Sequence, residues 1–309
     1  MKIGFGAPVA GAWASPENLG YFAGRAEELG YDSLWAFHRL LIPADETKMA
    51  PVYHSVLDPI SALTFAAARS SRIRLGVALV NLPFVSPAYL AKQAATLDVL
   101  SGGRFDLGLG TGWQSEEFVA SGVSMERRGA RAEDFLAALH TLWADEVSSY
   151  DGEFYTIPPS RMAPKPVQKP GPPVLLGGAV EAALKRAGRL AAGWVSRSAT
   201  DLTKIHEQIG IVRGAAEEAG KDPDAVRIVV RGVVRAGQEA RDESGERKRL
   251  SGSYEQIRED IGWLESCGVT EVFYDLNYDP AVGDPAADEG KAVLRASEIL
   301  QALAPDVRM

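Results

Sequence analysis

The chain has 309 residues, 46% hydrophobic and 24% charged, an ordinary globular balance that supports a large core and argues against disorder. Thirty-three basic residues against 41 acidic ones leave a formal net charge of −8, which repels a phosphate backbone, excludes general nucleic-acid binding and confines any phosphate site to a local feature. Neither a run of about 20 apolar residues able to span a bilayer nor a signal peptide's apolar stretch is legible, so a cytoplasmic protein without a membrane partner is expected.

In chain order, short β-branched or apolar runs at 3–5, 33–37, 73–80, 105–109, 174–176, 194–195, 228–234 and 272–276 alternate with longer stretches of helical period. That alternation is the signature of βαβ units and a parallel sheet. Eight runs are the number that closes a TIM (β/α)₈ barrel, and a single barrel domain over 1–309 with insertions in its βα loops accounts for the length. The first helix starts on Ser15 and Pro16, places Leu19, Phe22, Ala23, Ala26 and Leu29 on one face, and ends at Gly30. Ser86-Pro87 repeats the start signal, and Ser101-Gly102-Gly103-Arg104 turns into the fourth strand.

The stretch 112–173 exceeds an ordinary crossover and predicts a helix near 131–143, a small hairpin at 150–154 and a stiff proline-rich return at 158–173. A charged segment, 239–249, predicts an exposed and mobile excursion after the seventh strand. The one cysteine, Cys267, has no partner for an internal disulfide and reads as a packed small residue.

A barrel places its active site at the C-terminal ends of the strands. His38 closes strand two, Asn81 follows strand three, Trp113 and Glu116 follow strand four, Gly177-Gly178-Ala179 follow strand five, and Ser196-Arg197 follow strand six. His38 is a candidate proton donor or acceptor, whereas His140 and His206 fall in helical stretches as surface residues and His54 sits in a loop. Gly177-Gly178-Ala179 leads into a helix at 180–191; the pair either presents backbone N–H groups to a phosphate or only permits a tight turn. Arg197 is the candidate supporting cation, with Arg161 and Arg127 as further ones if the insertion folds over the mouth. The run Gly108-Leu109-Gly110-Thr111-Gly112 fails as a dinucleotide fingerprint because Trp113 stands where the last glycine should, and Gly110 reads instead as room for something flat. No metal-ligand spacing and no nucleophile motif is present in the sequence.

These residues resemble the luciferase-like monooxygenase superfamily, and within it the F420-dependent oxidoreductase branch. The resemblance covers nearly the whole chain. It rests on Asp32-Ser33-Leu34-Trp35 with His38, on Ala91 to Arg104 ending Leu100-Ser101-Gly102-Gly103-Arg104, on Gly108 to Trp113 followed by Glu116-Glu117-Phe118, on Pro164-Lys165-Pro166-Val167-Gln168, and on Gly177-Gly178 and Gly193-Trp194. It implies a flavin-type ring across the barrel mouth, a phosphate near Gly177-Gly178, a homodimer, and a bulged third strand with a non-prolyl cis bond at Ala78-Leu79 behind the ring. Many relatives carry an Asp before the histidine of strand two, and this chain has Phe37 there. The glucose-6-phosphate dehydrogenases of the family place a glutamate acid where Trp113 stands, so Trp113 is read as an aromatic wall.

Coenzyme F420 acting on a small organic substrate is the first expectation. An FMN-dependent monooxygenase is the alternative, and a non-catalytic flavin-binding barrel the third reading. F420 carries a phospholactyl-polyglutamate tail, so its site needs both a phosphate turn and an open route for acid groups.

Overall fold

The structure, a computed structural model, describes residues 1–305. Eight parallel strands close a barrel: β1 Lys2–Gly6, β2 Ser33–Ala36, β3 Arg74–Asn81, β4 Phe105–Gly110, β5 Val174–Gly177, β6 Gly193–Val195, β7 Arg227–Val233 and β8 Glu271–Asp275. Each pairs with its sequence neighbours, and β8 returns to β1 through Lys2↔Glu271 and Phe5↔Tyr274. The sequence-derived strands match these bounds closely because most of the runs follow a helix end and a turn. Ser15 and Ser86 do cap their helices, accepting the N–H of Asn18 and of Tyr89, each at 3.2 Å. Among the described residues no helix is long and apolar enough to cross a membrane.

The barrel interior is layered, and the layers decide where chemistry can occur. At the bottom, Asp106 on β4 takes Arg74 at 2.6 Å and Arg227 at 2.9 Å, while Arg227 also reaches Glu271 at 2.9 Å. Burial pushes the Asp106 carboxyl up, but the two guanidiniums outweigh it and hold its pKa below the usual range. Above lies an apolar layer in which Trp35 stacks on Phe273 at 5.2 Å, with Leu175, Val195 and Val229 around them. Such a stack contributes about 0.5–1.5 kcal/mol beyond its buried area. Gly76 makes room for it, since a Cβ there would lie 2.4 Å from the Trp35 ring. The filled lower layers leave the upper rim for ligands.

The long insertion forms the helix Arg128–Ala144 and an antiparallel hairpin of Ser148–Asp151 with Thr156–Ser160. Segment 239–249 is largely exposed, as expected, but it is tied to the body: Arg247 and Arg249 both bind Asp260 at 2.8 Å. Two of the motifs that carry the resemblance serve the scaffold. Arg104 ties Ile73, Ala67 and Ser70 to the start of β4, and buried Asp98 accepts both the N–H and the side-chain amide of Gln168.

Candidate active site

At the C-terminal ends of the strands a cavity of about 480 Å³ opens. Its floor is β3, where the Ala78–Leu79 bond is cis, as expected, and the register with β4 shifts between Val77 and Val80. Leu79 then occupies space that only glycines leave free: a Cβ on Gly177 would lie 2.0 Å from Leu79 Cδ1, and one on Gly108 2.1 Å from the Val77 carbonyl. Gly110 is likewise close to Leu79 and to Asn81 Oδ1, at 3.2 and 3.3 Å from an added Cβ. The glycine-rich β4 is thus explained first by the bulged neighbour strand. Ala78, Leu79, Asn81 and Gly110 all line the cavity.

His38 lies at the rim with its Nδ1 3.3 Å from the Asn81 backbone nitrogen. An N–H can only donate, so Nδ1 accepts and the ring proton sits on Nε2. Burial lowers the pKa of the ring and the Arg39 charge adds to this, against the opposing pull of Glu117 and Asp58. His38 is therefore a neutral hydrogen-bond donor. The carboxylate absent at position 37 is replaced by packing, with the Arg231 guanidinium 4.6 Å above the Phe37 ring.

Glu116 is not brought to the cavity. It is exposed on the helix Ser115–Ala120, bonded to Ser115 and Gln114. The neighbouring Glu117 points inward instead, fully buried, pairing with Arg39 at 2.7 Å and accepting the Leu40 N–H at 2.8 Å. Arg39 lies 4.6 Å from the Tyr53 ring and 4.8 Å from Trp113, and all three residues line the cavity. Trp113 lines the cavity at its mouth and is half-exposed. Neither Arg39 nor Glu117 was among the candidates, although a charged residue directly after the apolar strand two was a usable signal.

On the opposite side Gly178, at φ +142°, turns β5 into the helix Glu181–Leu190, whose N-cap Val180 receives no side-chain bond. The Gly178 carbonyl is pinned by Trp194 Nε1 at 2.9 Å. Gly178, Ala179 and Val180 face the cavity with the uncapped helix start behind them, an arrangement suited to an anion. Arg128, held to the Gly112 carbonyl at 2.7 Å, also lines this side. Ser196 accepts the Arg231 N–H at 2.9 Å, and the exposed Arg197 side chain has no partner among the described residues. Arg127 and Arg161 are absent from the cavity, bonded to Glu153 and Glu146 on the insertion.

Arg231 was missed by the sequence reading. It projects from β7, binds Asp275 at 2.6 Å and reaches the Ala78 carbonyl at 3.3 Å. Burial works against its charge, yet Asp275 keeps the guanidinium protonated and its pKa raised. The residues thus offer a floor of Ala78 and Leu79, a neutral donor, a paired cation and a turn suited to an anion at one edge. Among the described residues no cluster of three or more His, Cys, Asp or Glu could hold a metal ion.

Comparison with known proteins places this geometry in a family. An uncharacterized protein of Mycobacterium tuberculosis is 40% identical over 184 residues, 59% of this chain and 64% of its own length. An FMNH2-dependent dimethylsulfone monooxygenase of Pseudomonas putida is 33% identical over 170 residues, 54% and 46% of the two chains. An F420-dependent glucose-6-phosphate dehydrogenase of Amycolatopsis mediterranei is 28% identical over 231 residues, 73% and 66%. The chain thus spans about half to two-thirds of the length of these curated relatives. The family model for luciferase-like monooxygenases matches residues 4–278, and this chain belongs to that family.

Proposed function

We propose that the protein is a coenzyme F420-dependent oxidoreductase that moves hydride between the deazaflavin and a small organic substrate. The residues fit the group. The floor of Ala78 and Leu79 would support the ring, and the turn of Gly178, Ala179 and Val180 would take the phosphate. When bound, the deazaflavin supplies two-electron hydride chemistry at carbon. The chain supplies the rest: His38 offers an Nε2 proton to a substrate oxygen or nitrogen, and Tyr53, Arg39 and Trp113 wall the space where a substrate would lie.

The observation that carries F420 over FMN is the open mouth, where Trp113 is 53% exposed. Oxygen activation needs its reactive intermediates kept from water, whereas direct hydride transfer between carbon centres has no oxygen intermediate to protect. The FMNH2-dependent relative supports FMN as the second reading. Anaerobic fluorescence titration decides: F420 binds at micromolar concentration and FMN at least tenfold more weakly, about 1.4 kcal/mol. Equal or tighter FMN binding overturns the proposal.

A further inference from the structure

Arg39 has more hydrogen-bonding capacity than the fold uses. It is 8% exposed and lines the cavity together with His38, Tyr53 and Trp113. Its one hydrogen bond runs from Nη1 to Glu117 Oε2 at 2.7 Å. Nε and Nη2 have no hydrogen-bond partner among the described residues, and Nε is shut off from solvent. The Tyr53 and Trp113 rings, 4.6 and 4.8 Å away, stabilise the charge without supplying an oxygen acceptor.

Buried donors in native proteins are nearly always paired, so an orphan calls for a cause. Among the described residues Arg39, Arg131, Gln208 and Arg213 each hold one such side-chain atom, and of these Arg39 alone lines the cavity. Nε and Nη2 form one edge of the planar guanidinium, spaced to grip the oxygen of a ligand with two N–H groups.

Charge decides which oxygen. Glu117 is fully buried and already balances Arg39, so the pair is neutral. A ligand carboxylate on the free edge would bring in a second buried anion with no cation of its own. Arg231 is matched by Asp275, and Arg128 and Arg197, which have no carboxylate partner, are left for the cofactor's phosphate. A neutral carbonyl oxygen can accept both N–H groups through its two lone pairs and adds no charge.

We infer, resting on the proposed function only for the bound molecule's being the substrate of hydride transfer, that Arg39 is the substrate anchor: its Nε–Nη2 edge binds a neutral carbonyl oxygen. Glu117 acts through Arg39 as a positioning residue, and by neutralising it selects against carboxylates.

The test is NMR titration of two probes matched in size, acetophenone and benzoate, into wild type, Arg39→Lys and Glu117→Gln, each free and loaded with oxidised F420. Lys keeps a cation beside Glu117 but lacks the planar edge. Gln keeps an oxygen for the Leu40 N–H but lacks the charge. Near-UV circular dichroism verifies the fold of both variants. Arg39→Lys is expected to weaken acetophenone at least about tenfold. Glu117→Gln is expected to strengthen benzoate relative to acetophenone at least about tenfold, a change of preference that general damage to the fold does not produce. That second arm decides alone if Arg39→Lys does not fold. Wild type that binds neither probe, folded Arg39→Lys that binds acetophenone like wild type, or an unchanged preference in Glu117→Gln overturns the inference, and F420 binding beside any of these leaves the proposed function standing. Acetophenone binding that depends on Arg39, in a protein that takes up no F420, overturns the proposed function and leaves the anchor standing.

Discussion

In the proposed reaction His38 serves as a neutral donor, because its Nδ1 is occupied by the Asn81 N–H and burial, with Arg39 adding to it, lowers the ring's pKa. Replacing it with Ala lowers turnover by about 10²-fold, the usual weight of a positioned proton-transfer group, with cofactor affinity unchanged; steady-state kinetics beside a binding titration checks this. The depressed pKa also has a sign. The native ring binds fewer protons than the unfolded chain, so its share of stability is complete above the ordinary 6.5 and is lost as pH falls through the native value. His38 was legible from its place at a strand end, but its tautomer depends on a backbone 43 residues away and was not. Glu116 against Glu117 was a choice between adjacent residues about 100° apart around a short helix, and nothing local says which one turns inward. Arg231 did leave a trace: Arg227, Val229, Arg231 and Val233 alternate along β7, so two charges in an apolar run share the barrel's inner face.

At the scale of elements, the connections between strands carry their own electrostatics. Glu27, at the end of the helix Pro16–Glu28, accepts the N–H groups of Ser71, Arg72 and Ile73 and the Ser71 hydroxyl, closing the turn that feeds β3. Burial pushes its carboxyl up, and the four hydrogen bonds more than reverse this, to about 2. That stabilisation is complete above the ordinary 4.5 and is lost as pH falls toward 2. Glu27→Ala leaves these amides without an acceptor and costs about 1–3 kcal/mol. Urea unfolding at neutral pH measures the loss, and an unchanged midpoint with an unchanged slope refutes it. Capped helix starts and strand runs were readable because Ser-Pro pairs and β-branched clusters act locally. The anchoring of segment 239–249 was not, because its charge pattern alone says solvent while Asp260, on a later helix, says otherwise.

For the molecule as a whole, the barrel separates stability from chemistry along its axis. Arg74, Asp106, Arg227 and Glu271 seal the bottom, Trp35 and Phe273 fill the middle, and the rim holds His38, Trp113, Arg231 and the Gly178 turn. Several residues through which the family was recognisable, among them Asp98, Arg104 and Gln168, belong to the scaffold. They report the fold rather than the reaction, which is why fold and rim position were readable while cofactor choice was not. The direct test of the account is a crystal structure grown with F420. It should place the deazaflavin ring on Ala78–Leu79, its phosphate on the N–H groups of the Gly178–Val180 turn, and His38 Nε2 toward the ring's reactive edge. A ring bound elsewhere, or a phosphate held away from that turn, would contradict it.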